Sequence, residues 1–524
     1  MAPAILLALI LTGFALRANE GIGQAAFGDE SGHLIGAHAI LAGDRLYRDF
    51  IDAHGPVAFM VPWLYDAVFG WSHANGVRWT MVGFAAVAVA AVGSSGLAGG
   101  GPANRRRAGL WAAALFASPV ASVWTVQALC LVSYHTMAGT FTVVSLAVFV
   151  MPAVLGRPVG RWRSVIAGGC GLLCCASAYP LVPSVILLGG GPILAVSGVA
   201  GHVRRAALGW LAGFAGAGAL LLVWMLLHGD LVGYVVFHFL TLQANYARYA
   251  PVTAGLFVRS LIPSTAPVSV VHAMALGACV VGAVAAAPLL GRAWRRWAGL
   301  AVTLSGVLLL DARGLVTFQD GTFVMAAFAF AALPLGALLA EGTPTAQAAL
   351  GTAMLAAGCL GLIEHTARTA ISSPWGMTRA AVLAAPPVSL AVDPTDPMLI
   401  AMRGATRPGE RILSLVYSPT IFLQAGLLPV RGFHEYLPWE ADYAAHPIWG
   451  RARDICTVLL REPPPAMWYD GWAVMGLYRP EQFIPCLRNV LATRYVHDVR
   501  NAQLHIRLDR VAQAQAAGFI PAAP

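Results

Sequence analysis

The chain has 524 residues, of which 58% are hydrophobic and 11% are charged, and its mean hydropathy is +0.69. A soluble domain carries about twice that charged fraction, so the composition excludes an ordinary soluble protein. The net charge of +9 does not indicate a nucleic-acid partner, because every basic residue is Arg and many of them cluster in short loops between apolar runs.

Apolar runs predict about eleven transmembrane helices, since a run of about 18 apolar residues is a candidate for crossing a bilayer. This pattern indicates an α-helical polytopic membrane protein. The predicted spans are Ala2–Leu16, Thr80–Leu97, Ala108–Thr125, Leu129–Pro152, Val165–Ala178, Leu181–Ala200, Ala206–Leu227, Pro267–Leu290, Ala298–Leu310, Gly321–Ala340 and Ala348–Ile363.

Arginines in short loops set the predicted orientation, because loops enriched in Arg lie on the cytoplasmic side. A cytoplasmic N-terminus places four such loops inside and the segments 17–78, 227–264 and 365–524 outside. This predicts a membrane domain over residues 1–364, with a structured first external loop at 17–78, and a periplasmic α/β domain over 365–524. The four loops contain Arg105–Arg107, Arg157 to Arg163, Arg204–Arg205 and Arg292 to Arg296.

Two short helices are predicted within the first external loop. Ser31 is placed to cap a helix that carries Leu34 on its apolar face and ends at Gly43. The stretch Pro56–Gly70 is apolar but short and contains Pro62. It therefore favours an amphipathic helix at the membrane interface over a full crossing.

The C-terminal segment is more polar and predicts alternating strands and helices, as in a small α/β domain. No glycine-rich phosphate-binding fingerprint is present, so nucleotide binding is not expected. Cys456 and Cys486 both lie here and could pair if the segment is periplasmic. The predicted strands cover 411–417, 466–469, 495–497 and 504–507, and the predicted helices cover 455–460 and 480–492.

A spaced set of residues in the first external loop carries a family resemblance. The set resembles the corresponding loop of GT-C membrane glycosyltransferases, in particular the glycosyltransferase family 39, protein-mannosyltransferase-like group of bacterial enzymes. The resemblance implies a GT-C-like fold in the bacterial inner membrane. It also implies inverting transfer of a sugar from a polyprenyl-phosphate donor to an acceptor at the external face. The set comprises Asp29-Glu30, Gly43, Leu46-Tyr47, Asp49, Gly55-Pro56, Phe69-Gly70 and Arg78.

The same resemblance implies roles for acids of this loop. Asp29 would deprotonate the acceptor hydroxyl, and Glu30 would orient Asp29 or help to hold a divalent cation, if the enzyme uses one. Neighbouring carboxylates can separate their pKa values or share a cation. Asp49 and His54 are candidates for supporting them. The alternative is a solvated pair of acids that caps the Ser31 helix.

Other polar residues are candidates for binding the substrates. The resemblance implies that a basic residue in a late external turn faces the lipid phosphate, and Arg313, between the ninth and tenth spans, is the first candidate. Its guanidinium suits forked contacts with phosphate oxygens. Alternatively, Arg313 pairs with Asp311 or Asp320. Arg248, in an aromatic external stretch, is a second candidate. Tyr134-His135 begins the fourth span from outside and serves either a polar or a structural role.

Two other classes of protein are compatible with part of the pattern. A transporter or flippase would place charged sites near the middle of the bilayer, whereas the acids here lie at the outer ends of the predicted spans. A membrane scaffold whose tail binds partners would leave Asp29 and Glu30 without a task. For the enzyme, the expected partners are the polyprenyl-phosphate sugar, membrane lipid and a lipid, glycan or protein acceptor.

Overall fold

The computed structural model describes residues 2–22, 28–70, 76–99, 101–122, 132–197, 201–249, 267–310, 321–342, 391–416, 420–445, 447, 454–474 and 476–522. Within these residues the chain is mainly helical and has one small sheet. The helices up to residue 342 are α1 (Ala2–Ile22), α2 (Gly28–Leu41), α3 (Val57–Phe69), α4 (Gly76–Ser94), α5 (Pro102–Ser122), α6 (Tyr134–Ser145), α7 (Met151–Val154), α8 (Arg161–Ser177), α9 (Val182–Ala195), α10 (His202–His228), α11 (Leu231–Val235), α12 (Gln243–Tyr249), α13 (Pro267–Leu290), α14 (Trp294–Leu309) and α15 (Gly321–Glu341).

Ten of the eleven predicted spans overlap a helix, and the eleventh, at 348–363, lies outside the described residues. A π-helical turn, Leu146–Val150, joins α6 to α7, so the helix of the fourth predicted span is continuous from Tyr134 to Val154. Within the described part of the chain, four helical stretches are long and apolar enough to cross a membrane: Gly76–Ser94, Tyr134–Val154, His202–His228 and Thr322–Glu341. These features confirm a helical membrane protein, while the number of spans stays a prediction.

The first external loop folds into the two helices α2 and α3, but α2 begins earlier than predicted. It starts at Gly28, so Ser31 lies inside it and is not its cap. Asp29 and Glu30 therefore lie in the first helical turn and not in a preceding loop. The thirteen residues of α3 include Pro62 and form one of the shorter apolar helices.

The chain divides into two compact units whose segments alternate along the sequence. The first contains Met1–Gln24, Arg78–Leu221 and Val252–Pro386, and the second contains Ala25–Val77, Leu222–Pro251 and Pro387–Pro524. The first external loop thus belongs to the same unit as the tail. The domain boundary predicted between residues 364 and 365 lies outside the described residues.

Glycines let helices of the first unit approach one another closely. A Cβ placed on Gly191 of α9 would lie 2.9 Å from the backbone oxygen of Gly299 in α14. A Cβ on Gly299 would lie 2.7 Å from the backbone oxygen of Gly191. Small residues at such crossings are typical of helix pairs in membranes, where packing replaces the hydrophobic effect as the main source of association.

The tail contributes α16 (Pro397–Ala405), α17 (Ile421–Ala425), α18 (Pro438–Ala445), α19 (Ile455–Arg461), α20 (Pro480–Phe483), α21 (Leu487–Arg494) and α22 (Val511–Ala516) to the second unit. Its four strands are β1 (Leu413–Leu415), β2 (Ala466–Tyr469), β3 (Tyr495–Asp498) and β4 (Asn501–Arg507). They lie in the order β1-β2-β4-β3. The β1–β2 pair is parallel, and the other two pairs are antiparallel.

This arrangement confirms the four predicted strands, although the predicted helix at 480–492 is two helices, α20 and α21. The sheet and helices enclose a core that includes Leu413, Ile455, Met467 and Val490. Cys456 and Cys486 form a disulfide, with their Cα atoms 5.7 Å apart, which confirms that the two can pair.

Candidate active site

The second unit places Asp29 and Glu30 in different surroundings, although they are adjacent in sequence. Both lie in the first turn of α2, where negative charge is favoured by the helix dipole. The Asp29 side chain is partly exposed, whereas Glu30 is buried. Successive side chains on a helix point about 100° apart, which fits this difference in exposure.

Asp29 is the outer end of a row of acids and imidazoles. Its Oδ2 lies 3.8 Å from Nε2 of His54. On the other side of the ring, Nδ1 of His54 lies 2.7 Å from Oδ1 of Asp52. The second oxygen of Asp52 accepts a hydrogen bond of 2.9 Å from Nε2 of His434 in the tail. Four residues from two distant parts of the chain therefore form one connected row.

Backbone contacts hold His54 in this row. Its N–H donates to Oδ1 of Asp52 at 2.7 Å, which closes a tight turn over Asp52-Ala53-His54. Its carbonyl accepts a hydrogen bond from the hydroxyl of Tyr47. Tyr47 is buried and has a φ of 63°, a left-handed conformation that is uncommon for a bulky residue. Its ring packs against Tyr234, with ring centroids 5.0 Å apart.

Asp52 and His54 of this row each favour the charged form of the other. Burial alone would raise the pKa of Asp52, but His54 and His434 hold it well below its usual range. Burial works against a charged His54, but Asp52, with smaller contributions from Asp29 and Glu435, raises the pKa of His54 to about 9. At neutral pH His54 is therefore an imidazolium between two carboxylates, and both ring N–H groups are donors.

Glu435 of the tail brings a further carboxyl group to the same place. A Cβ on Gly32 would lie 2.7 Å from Oε2 of Glu435, so this carboxyl group rests against the backbone of α2 one turn after Asp29. Burial, followed by the charges of Asp29 and Asp52, raises the pKa of Glu435 well above its usual value. The raised pKa favours the protonated form, which can both donate and accept hydrogen bonds.

Two other predicted residues of this unit have local partners. Asp49 accepts a hydrogen bond of 2.9 Å from the backbone N–H of Arg45 and closes the turn that precedes Phe50. Arg248, in α12, is exposed and lies 3.5 Å from Asp442 in α18. Neither residue is joined by these contacts to the row that contains Asp29.

The remaining predicted site residues fall elsewhere. Tyr134 and His135 belong to the first unit, where they are buried in the first turn of α6 and their rings lie 3.9 Å apart. The backbone oxygen of His135 accepts a hydrogen bond of 3.0 Å from the hydroxyl of Thr322. Arg313 lies outside the described residues.

Sequence reasoning missed Asp52, His434 and Glu435. The spacing Asp49-x-x-Asp52-x-His54 was one available signal, because an acid two residues before a His can bond to it through a tight turn. The tail offered His434-Glu435, an adjacent pair of titratable residues after Phe433 in a stretch with apolar flanks. Nothing in the sequence, however, indicated that this pair lies beside the first external loop.

No three His, Cys, Asp or Glu side chains within the described ranges are grouped as a metal site would require. The divalent cation considered for Asp29 and Glu30 stays a prediction, and the roles below are assigned to side chains alone.

The fold is similar to that of a solved structure over almost its whole length. The structure of ArnT from Cupriavidus metallidurans in the apo state matches with a TM-score of 0.56 and 12% identity, covering 96% of this chain and 97% of that one. The sequence itself matches no protein-family model and no curated protein.

Two further structures are more distant. ArnT from the same organism bound to undecaprenyl phosphate matches with a TM-score of 0.43 and 11% identity, over 96% of this chain and 97% of that one. An Archaeoglobus fulgidus oligosaccharyltransferase complex with Zn and sulfate matches with a TM-score of 0.44 and 12% identity, covering 97% of this chain and 73% of that one. At these values the likeness is too weak to support a conclusion. From the match to apo ArnT, the chain has an ArnT-like fold.

Proposed function

We propose that the protein is a membrane glycosyltransferase that moves a sugar from a polyprenyl-phosphate donor to an acceptor. The observation that carries this proposal is the ArnT-like fold, which extends over 96% of the chain. The cluster around Asp29 supports it, because the residue that the family resemblance implies as the base lies among acids and imidazoles that can hold it in place.

The proposed reaction is a single displacement with inversion. The acceptor oxygen forms a bond to the anomeric carbon while the bond from that carbon to the phosphate oxygen breaks. Asp29 takes the proton of the acceptor hydroxyl, and the electron pair leaves with the polyprenyl phosphate. A base must lie within hydrogen-bond reach of the proton it removes, and the partial exposure of Asp29 leaves its carboxylate accessible.

His54, Asp52 and His434 position the base in this scheme. The His54 imidazolium lies beside the Asp29 carboxylate, and Asp52 fixes the ring through its Nδ1. His434, by bonding the other oxygen of Asp52, fixes the carboxylate in turn. Such support is needed because a displacement of the reacting groups by about 1 Å can lower the rate of the chemical step by about a hundredfold.

The leaving phosphate requires positive charge, and Arg313 remains our candidate for supplying it, with Arg248 as the alternative. We assign to Glu30 the role of orienting the helical turn that carries Asp29. Tyr134 and His135 remain candidates for contacts with the donor or acceptor. The acceptor could be a lipid, a glycan or a protein.

We also propose that the N-terminus is cytoplasmic and that the tail lies in the periplasm of a bacterial cell. The Arg-rich loops support this orientation. The disulfide between Cys456 and Cys486 supports it independently, because structural disulfides persist in oxidising compartments and are rare in the cytosol.

The test is an assay of the purified protein in nanodiscs with polyprenyl-phosphate hexoses and pentoses that carry a radiolabelled sugar. We expect release of the polyprenyl phosphate and a product sugar of inverted anomeric configuration. Arg313→Ala should raise the KM for the donor more than Arg248→Ala does. Retained configuration would refute the single displacement, whereas no release from any donor by folded protein would refute the proposal and favour a transporter.

A further inference from the structure

Two short segments of the first unit combine arginines with tryptophans. Residues 156–163 join α7 to the first turn of α8, and residues 291–297 join α13 to the first turn of α14. Neither segment contains an acidic residue. Together we call them the arginine–tryptophan patch. Its arginines are Arg157, Arg161, Arg163, Arg292, Arg295 and Arg296.

The two segments meet in the folded unit, although they are far apart in sequence. The Arg296 guanidinium rests against the backbone of Gly156, because a Cβ placed on Gly156 would lie 2.2 Å from Cζ of Arg296. The helices that follow them are also in one packed group, since α9 contacts α14 closely at Gly191 and Gly299. The positive charges of both segments therefore lie on one surface.

The tryptophans of this patch are unusually exposed for such large side chains. Trp162 is 76% exposed, Trp294 is 66% exposed and Trp297 is 44% exposed. The indole N–H of Trp297 donates a hydrogen bond of 3.0 Å to the backbone oxygen of Gly291, and the Arg295 guanidinium lies 5.6 Å from the centre of the Trp294 ring. In membrane proteins, exposed indole rings lie at the level of the lipid headgroups.

We propose that the arginine–tryptophan patch binds the phosphate group of an anionic phospholipid, in the leaflet that these helix ends face. Forked guanidinium contacts suit phosphate oxygens, and basic sites between membrane helices can bind anionic headgroups. The indole rings would pack beside the glycerol and the upper acyl chain. A lipid is favoured over a free phosphate ion, because a free ion would use the arginines and leave the tryptophans without a role.

Another arginine cluster of the same unit lacks this combination. Arg105 and Arg106, near the start of α5, are exposed. The tryptophan of that helix, Trp111, is buried. If positive charge alone attracted the lipid, the two clusters would bind it equally. The proposal instead predicts preferential binding at the arginine–tryptophan patch.

The test is native mass spectrometry of the full chain in detergent, with phosphatidylglycerol or phosphatidylcholine of the same acyl chains. We expect the wild type to bind the first phosphatidylglycerol at least about tenfold more tightly than phosphatidylcholine. Arg295→Gln/Arg296→Gln should remove most of this preference. Trp294→Ala should weaken binding of phosphatidylglycerol, and Trp294→Phe should restore most of it.

Arg105→Gln/Arg106→Gln is the matched control, because it removes the same charge from a cluster without an exposed tryptophan. It should retain the preference of the wild type. Equal losses in the two double variants would overturn the proposal, since the lipid would then respond to total charge alone. Displacement of phosphatidylglycerol by an equal concentration of inorganic phosphate would overturn the lipid as the occupant.

The binding of lipid at this patch does not depend on the proposed glycosyltransferase reaction. Asp29→Asn should lose turnover and bind phosphatidylglycerol as the wild type does, because Asp29 belongs to the second unit. An absence of preference for phosphatidylglycerol in an active wild type would overturn this inference and leave the proposed function standing.

Discussion

His54 takes its position from residues on both sides of it in the first loop. Asp52 bonds to its ring and to its backbone N–H, and Tyr47 bonds to its carbonyl. The ring also lies edge-on to His33, with 4.5 Å between centroids. These contacts explain how a residue of an irregular segment can present an imidazolium to Asp29 in a defined orientation.

The raised pKa of His54 predicts a specific pH dependence of stability. The folded state binds the proton more tightly than the unfolded state, because the pKa rises from 6.5 to about 9 on folding. The stabilising contribution is therefore complete below pH 6.5 and is lost as the pH rises through about 9. Thermal unfolding in detergent should show this loss for the wild type and a much smaller one for His54→Gln.

His497→Gln is the control for this measurement, because His497 is an exposed histidine of the tail. It should retain the pH dependence of the wild type. If His54→Gln also retains it, the ion pair between His54 and Asp52 does not contribute to stability as described.

We predict that the single methyl group added by Gly32→Ala disturbs the site without unfolding the protein. In Gly32→Ala the new Cβ would lie 2.7 Å from Oε2 of Glu435, so the flexible end of that side chain must move. Alanine is otherwise favoured over glycine in a helix by about 0.5–1 kcal/mol. We therefore expect an unchanged or higher melting temperature and a fall in turnover of about tenfold or more.

Gly83→Ala provides the comparison, because a Cβ on Gly83 in α4 meets nothing within 4 Å. It should leave turnover unchanged. Equal turnover of the two variants would show that the position of Glu435 is not important for the reaction.

At the scale of elements, an ion cluster around the buried carboxylate of Asp44 joins the first loop to the tail within the second unit. Asp44, which follows Gly43 in the turn after α2, lies 3.0 Å from Nε of Arg431 and accepts hydrogen bonds from the Arg411 guanidinium, one of them at 2.9 Å. Asp44 is 3% exposed. The Arg411 side chain is 17% exposed and that of Arg431 is 54% exposed, so loss of the Asp44 carboxylate removes charge-assisted hydrogen bonds, while water can still solvate Arg431.

Asp44→Asn should accordingly lower the free energy of unfolding by about 2 kcal/mol, measured by urea titration in detergent. Asp509→Asn is the matched control, since Asp509 is 62% exposed and pairs with Arg507 at the surface. Its effect should stay below about 1 kcal/mol, as for other surface ion pairs. Comparable losses for the two variants would contradict the importance of the cluster around Asp44.

The elements that sequence predicted well are those that local patterns specify. Strand β2 follows a run of three prolines and matches its predicted bounds. The start of α2 was predicted too late because Ser31 has the chemistry of a helix cap, whereas the structure begins the helix with Gly28, Asp29 and Glu30. Acids in a first turn are stabilised by the helix dipole, and that effect extends α2 beyond its apolar pattern.

At the scale of the whole molecule, the sequence predicted the helical membrane class and singled out two of the four residues that form the Asp29 row. Apolar runs are local, so the spans could be located without knowledge of their packing. Asp29 and His54 could be found because they lie in one loop. His434 could not, because it is 382 residues from Asp52 in sequence and only the folded second unit brings them together.

The predicted orientation can be tested on the intact chain. Alkaline phosphatase, which is active only outside the cytoplasm, should be active when fused after Pro524 and inactive when inserted at Gly201, just before the helix that carries Arg204 and Arg205. A green fluorescent protein at these two positions should show the reverse. Phosphatase activity at the position near Arg204–Arg205 would show that the topology is the reverse of the proposed one, with Asp29 on the cytoplasmic side.

The most direct measurement of the central claim compares Asp29→Asn with Asp49→Asn in the donor turnover assay. The two changes are chemically identical and lie in the same loop, but the Asp49 carboxylate closes a turn whereas Asp29 lies beside His54. We predict that Asp29→Asn lowers turnover by at least about a hundredfold, as expected for loss of a general base, and that Asp49→Asn retains most of it. Equal turnover of the two folded variants would contradict the assignment of Asp29 as the base.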